Sequence, residues 1–110
     1  MAEIVFSPKA GEDLDGIKEY IETELKSPVA ANNRVLEILD AIGELARFPR
    51  LGPSLQEKIS SLGKYRYLPV AGNIVFYRIE KEKVLIVRIL GARTDYIKTL
   101  ELGFTSRSSR

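Results

Sequence analysis

An α+β domain is what this sequence predicts: an N-terminal strand, an antiparallel helical hairpin, a three-stranded antiparallel meander and a short C-terminal helix. Three observations carry that expectation. Apolar residues recur every three or four positions from Ala10 to Ala46, the spacing that gathers them on one face of a helix. From Tyr65 to Leu90 the chain turns to β-branched and aromatic runs, which suit a pleated, half-buried surface. Two breaks inside that stretch, Gly72-Asn73 and Lys81-Glu82, have hairpin length, so its strands follow one another antiparallel.

Each element has its own signal. Glu3-Ile4-Val5-Phe6 is short, apolar and β-branched and reads as the first strand. Ser7 followed by Pro8 is a helix start, because serine caps the free amide groups and proline is preset for the first turn. Ala10, Leu14, Ile17, Ile21 and Leu25 recur along it at helical spacing. Ser27-Pro28 repeats the start signal, and Ala31, Val35, Ile38, Leu39, Ile42, Leu45 and Ala46 continue a second stripe. So short a link forces the two helices antiparallel. Arg47-Phe48-Pro49-Arg50-Leu51-Gly52-Pro53 stops the second helix and opens an irregular connection. Strands are expected over 65–71, 74–79 and 84–90. Asp95 to Leu102 supports a final helix of two turns, and Thr105 to Arg110 holds nothing to bury. A single domain over residues 1–103 with a disordered tail over 104–110 follows.

The chain has 110 residues, enough for one ordinary core and no second domain. It contains no cysteine and no histidine, so disulfides, the usual zinc ligands, cysteine nucleophiles and histidine-based triads are excluded. No cofactor or metal is implied. No apolar run reaches the roughly 20 residues of a membrane helix, and the first residues lack the pattern of a signal peptide, so a cytoplasmic protein without membrane contact is expected. The net charge of +2 hides a gradient. Residues 1–30 hold three bases and seven acids, residues 31–63 four of each, and residues 64–110 ten bases and four acids. Any polyanion contact belongs to the C-terminal half. Asp13, Asp15 and Glu19 read as a solvated face of the first helix and not as a metal site.

Turn length sets register, and register sets which side chains share a face. With Gly72-Asn73 as the turn, Ala71 opposes Ile74 and Tyr67 opposes Arg78. With Lys81-Glu82 as the next, Arg78 opposes Leu85 and Phe76 opposes Val87. One face then carries Tyr65, Tyr67, Pro69, Ile74, Phe76, Arg78, Leu85, Val87, Ile89 and, if the strand runs on, Arg93. The other carries Arg66, Leu68, Val70, Val75, Tyr77, Ile79, Val84, Ile86, Arg88 and Leu90. Both are largely apolar, so the hairpin covers one and a partner or the terminal helix covers the other. Arg78 and Arg88 lie inside apolar strands, where an arginine needs a partner. Asp95, Glu80 or an acid of the first helix can supply it, or the arginines face a target.

The order of elements, the entry SPKAGEDLDGIKEYI, the connection FPRLGP and the strand pair VFYRI…VLIVRILGARTDY resemble the RelE/ParE superfamily of type II toxin-antitoxin toxins over nearly the whole chain. That resemblance implies a small cytoplasmic toxin neutralised by a cognate antitoxin. RelE-like members cleave messenger RNA on the ribosome; ParE-like members poison DNA gyrase. Cleavage by attack of a 2′-hydroxyl needs proton transfer and donors for the developing charge. The two lysines that the RelE-like pattern places on the first meander strand fall at Tyr65 and Tyr67, and the arginine of its next strand falls at Ile74. Arg93 matches its last arginine, and Tyr96 loosely matches its terminal tyrosine. Phe76-Tyr77-Arg78 and Arg88-Ile89-Leu90 through Arg93 fit the ParE-like pattern, which is therefore favoured.

The resemblance thus implies target contacts at Arg78, Arg88, Arg93, Tyr65 and Tyr67, with no catalytic set; in a nuclease the candidates are Arg93, Tyr96 and Arg78. The tyrosines can instead stack on bases or simply pack across strands. The antitoxin is expected on the face carrying Phe76, Leu85, Val87 and Ile89, since an apolar patch beyond a few hundred Å² is unusual on a monomer. Three functions remain in view: a gyrase inhibitor, a ribosome-dependent messenger RNA endonuclease, and an inactive antitoxin-binding scaffold.

Overall fold

A computed structural model describes residues 1–57 and 60–100 of the chain. The expected domain limit at 103 and the tail over 104–110 lie outside the described residues. Strand β1 (Glu3–Phe6) leads into α1 (Pro8–Glu24) and α2 (Pro28–Arg47), then strands β2 (Tyr65–Val70), β3 (Asn73–Glu80) and β4 (Lys83–Gly91). Two short 3-10 turns, Leu55–Glu57 and Ser60–Leu62, occupy the connection before β2. Residues 96–100 are helical. Both helix starts form as their sequences require: Ser7 Oγ accepts from Ala10 N at 3.0 Å and Ser27 Oγ from Ala30 N at 3.1 Å. Lys26, with φ of +51°, takes the left-handed position that ends α1 and reverses the chain.

The sheet order is β1-β4-β3-β2, with β1 parallel to β4 and the meander antiparallel. The first meander turn differs from expectation. It is Ala71-Gly72, both at positive φ of +50° and +79°, the hairpin geometry whose twist matches the paired strands. Tyr65 therefore opposes Arg78, and Tyr67 opposes Phe76. The slip is two residues, an even number, so the face of every β2 side chain is unchanged. At the second turn Arg78 opposes Leu85 as expected.

A bulge then breaks the alternation in β4. Tyr77 pairs with Ile86 but Phe76 pairs with Arg88, which leaves Val87 as the extra residue. Beyond it the faces swap: Ile89 pairs with Val75 and Leu90 with Ile74. The expectation that Ile89 shares a face with Phe76, and Leu90 with Tyr77, is corrected here. An odd insertion turns every later side chain over.

Two clusters sandwich the sheet. On the hairpin side Ala10, Ile38, Ile42 and Leu45 close on Val75, Tyr77, Val84, Ile86 and Ile89. Burial of each large aliphatic there stabilises the fold by about 1.5–3 kcal/mol. On the other side Leu55 and Leu62 of the connection and Leu100 of the helical residues 96–100 cover Tyr65, Phe76 and Leu90. The second face is thus closed in large part by the chain itself. Among the described residues no helix is long and apolar enough to cross a membrane.

Candidate functional site

The sheet face opposite the hairpin gathers most of the residues that the sequence singled out. Tyr65 is 2% exposed, with its hydroxyl accepting from Arg78 Nη1 at 3.1 Å and its ring 5.8 Å from the Arg78 guanidinium carbon. Lys64 Nζ lies 5.7 Å from the same ring centre. Arg78 Nε sits 2.6 Å from Glu80 Oε2, yet that nitrogen makes no aligned hydrogen bond; the contact is an ion pair set off the N–H axis. Glu80 is one of the partners the sequence offered for Arg78. Tyr67 is half-buried beside Phe76, and the Tyr96 ring tilts over Phe76 with centroids 5.1 Å apart.

Arg93 projects from an exposed turn past the end of β4. Thr94 N to Gly91 O at 3.0 Å closes that turn, and Ala92 N to Gly72 O at 3.1 Å ties it to the β2–β3 hairpin. It lies at the opposite end of the sheet from Arg78. Gly91 pairs with Asn73, five residues along β3 from Arg78, or about 17 Å at roughly 3.4 Å per residue. The Arg78 guanidinium is drawn toward Glu80, farther still from that end. Arg78, Arg93 and Tyr96 are not brought onto one reacting centre.

Arg88 is bound by the first helix. Its Nε and Nη2 donate to Asp13 Oδ2 and Oδ1 at 2.8 and 2.9 Å. This acid of the first helix is the other kind of partner the sequence allowed, but Asp13 itself was expected on a solvated face. It is instead 14% exposed at its side chain, while Asp15 and Glu19 do face solvent. The signal was present in the spacing: Asp13 follows Ala10 by three residues and precedes Ile17 by four, on the buried stripe. Asp13 also accepts from Ile89 N at 2.9 Å, and Ser7 Oγ donates to Val87 O at 2.8 Å. Strand β1 stops beside Ile86, and past that point Ser7 and Asp13 take up two backbone groups of β4 that would otherwise lack partners. The bond to Asp13 raises the pKa of Arg88, so the guanidinium stays charged despite partial burial.

Of the residues expected to meet an antitoxin, Phe76 and Ile89 are enclosed by the chain, at 0% and 2% exposure. Leu85 and Val87 remain half-buried on the outer face. More exposed apolar side chains lie elsewhere, among them Val29 and Leu36 on α2 and Phe48 and Leu51 in the following connection. Among the described residues no group of three carboxylates converges to hold a metal ion.

The family model for the ParE toxin of type II toxin-antitoxin system, parDE, matches residues 4–96. This chain belongs to the ParE toxin family. A solved structure described as the chromosomal ParDE TA system from P. aeruginosa superposes with a TM-score of 0.70, covering 83% of this chain and 96% of that one. At 22% identity the likeness speaks for the fold alone. No curated protein matches the chain. Membership in the ParE family carries with it a cognate ParD antitoxin as partner.

Proposed function

We infer that this ParE-family toxin arrests growth by binding DNA gyrase, acts in the cytoplasm, and is neutralised when its antitoxin covers it. The observation that carries this reading is the dispersal of the cationic side chains. Stabilising a transferring phosphoryl group takes donors that converge within about 3 Å of the same oxygens. Arg78 is committed to Glu80 and Tyr65, Arg88 to Asp13, and Arg93 stands at the far end of the sheet. Such an arrangement suits recognition over a broad surface, in which Arg93 projects from its turn and Tyr67 adds an aromatic group on the sheet. The antitoxin reading places a ParD segment over Leu85 and Val87, the part of the apolar face that the chain leaves half-open.

Purified toxin incubated with gyrase and relaxed plasmid is expected to inhibit supercoiling or to accumulate cleaved DNA. Unaffected gyrase at large molar excess refutes the inference. Codon-position cuts in an in vitro translation reaction would assign the chain to the nuclease mode instead.

A further inference from the structure

We propose that the connection following α2 is a preformed anchor for an acidic segment of the antitoxin carrying an apolar side chain. This rests on the reading of the chain as an antitoxin-neutralised toxin and deepens it. Arg47, Phe48, Arg50 and Leu51 are all exposed, Phe48 and Leu51 by 52% and 53%. Here the backbone is fixed from below. Tyr77, buried in the sheet, donates its hydroxyl to Pro49 O at 2.7 Å and accepts from Gly52 N at 2.8 Å. Arg66 Nη1 donates to Gly52 O at 2.7 Å, and Tyr67 N to Pro53 O at 3.1 Å. A loop held this way loses little entropy when a partner docks.

Charge selects the partner. Among the described residues neither Arg47 nor Arg50 makes an ion pair; Arg47 lies over the Phe48 ring at 5.4 Å. An open groove of about 310 Å³ adjoins the loop at Arg47 and Pro49, with Met1, Ala2, Ala46 and Ile79 as further apolar lining, Lys81 as a second cation and Glu82 as its acid. Cations around an apolar recess complement a segment that alternates carboxylates with an aliphatic or aromatic anchor. ParD is the partner that family membership supplies.

The test uses the full chain immobilised and purified cognate ParD in solution. Arg47→Glu with Arg50→Glu is expected to lower the association rate by about tenfold at low salt, with the difference closing near about 0.5 M salt. Phe48→Ala with Leu51→Ala is expected to raise the dissociation rate by about tenfold. All four side chains are exposed, so melting temperatures should hold, and circular dichroism checks the fold. Binding of both double variants within about threefold of wild type overturns the anchor. Failure of the wild-type chain to bind ParD overturns the antitoxin reading beneath it. Loss of growth arrest with unchanged ParD binding assigns the surface to the toxin's target and also overturns the anchor.

Discussion

Replacing Asp13 with alanine should unlatch the first helix from the bulge in β4. Asp13 takes two hydrogen bonds from Arg88 and one from Ile89 N. Bonds to a charged group contribute about 1.5–3 kcal/mol each, and breaking a buried pair costs about 3–5 kcal/mol because the surviving charge stays uncompensated. The side chains are 23% and 14% exposed, so water reaches Arg88 in part and the lower end of that range applies. A loss of about 3 kcal/mol follows, on the order of 10 °C in Tm for a domain of this size. Against a typical total of about 5–15 kcal/mol this is large. Asp13→Asn keeps one acceptor for Ile89 N and should cost about half as much. Urea unfolding of Asp13→Ala, Arg88→Met and the double variant gives the coupling, expected near 2 kcal/mol. A loss below about 1 kcal/mol for Asp13→Ala, or a coupling near zero, refutes the latch.

Tyr77→Phe removes the hydroxyl that bridges Pro49 and Gly52 and should cost about 1–3 kcal/mol by urea unfolding. Burial raises the Tyr77 pKa above its ordinary 10.0; below pH 10 both states hold the proton, and above it the unfolded chain releases a proton the native chain keeps. Stability should therefore fall as pH rises through about 10 toward the folded value, and less steeply in Tyr77→Phe; parallel curves for the two proteins would contradict this. At Gly52 an added Cβ would strike the Tyr67 carbonyl oxygen and lie 2.8 Å from Tyr77 Oη, so Gly52→Ala should destabilise by about 1–3 kcal/mol, and an unchanged unfolding midpoint would show that the loop yields. Leu85→Asp and Val87→Asp should abolish antitoxin binding while Glu19→Ala on the exposed side of α1 leaves it intact; a pull-down from coexpressing cells decides, with Tm as the folding check.

The order and kind of the elements were legible along the chain, because their signals are local. Ser7-Pro8 and Ser27-Pro28 cap helices through bonds spanning three residues, and the stripe from Ala31 to Leu45 fixes which side of α2 is buried. The family was legible for the same reason: its pattern is an order of local segments. What crosses the chain emerged only in the folded molecule. Nothing near Val87 announces a bulge; it is held by Ser7 and Asp13, 80 and 76 residues from their partners. That one extra residue moved Ile89 into the hairpin core and Leu90 to the opposite face. Likewise Leu55, Leu62 and Leu100 cover Phe76, so a face that looked open in the sequence is largely closed. Side-chain alternation can be read along a strand only while pairing stays in register, and pairing is settled by groups that meet after the chain has folded.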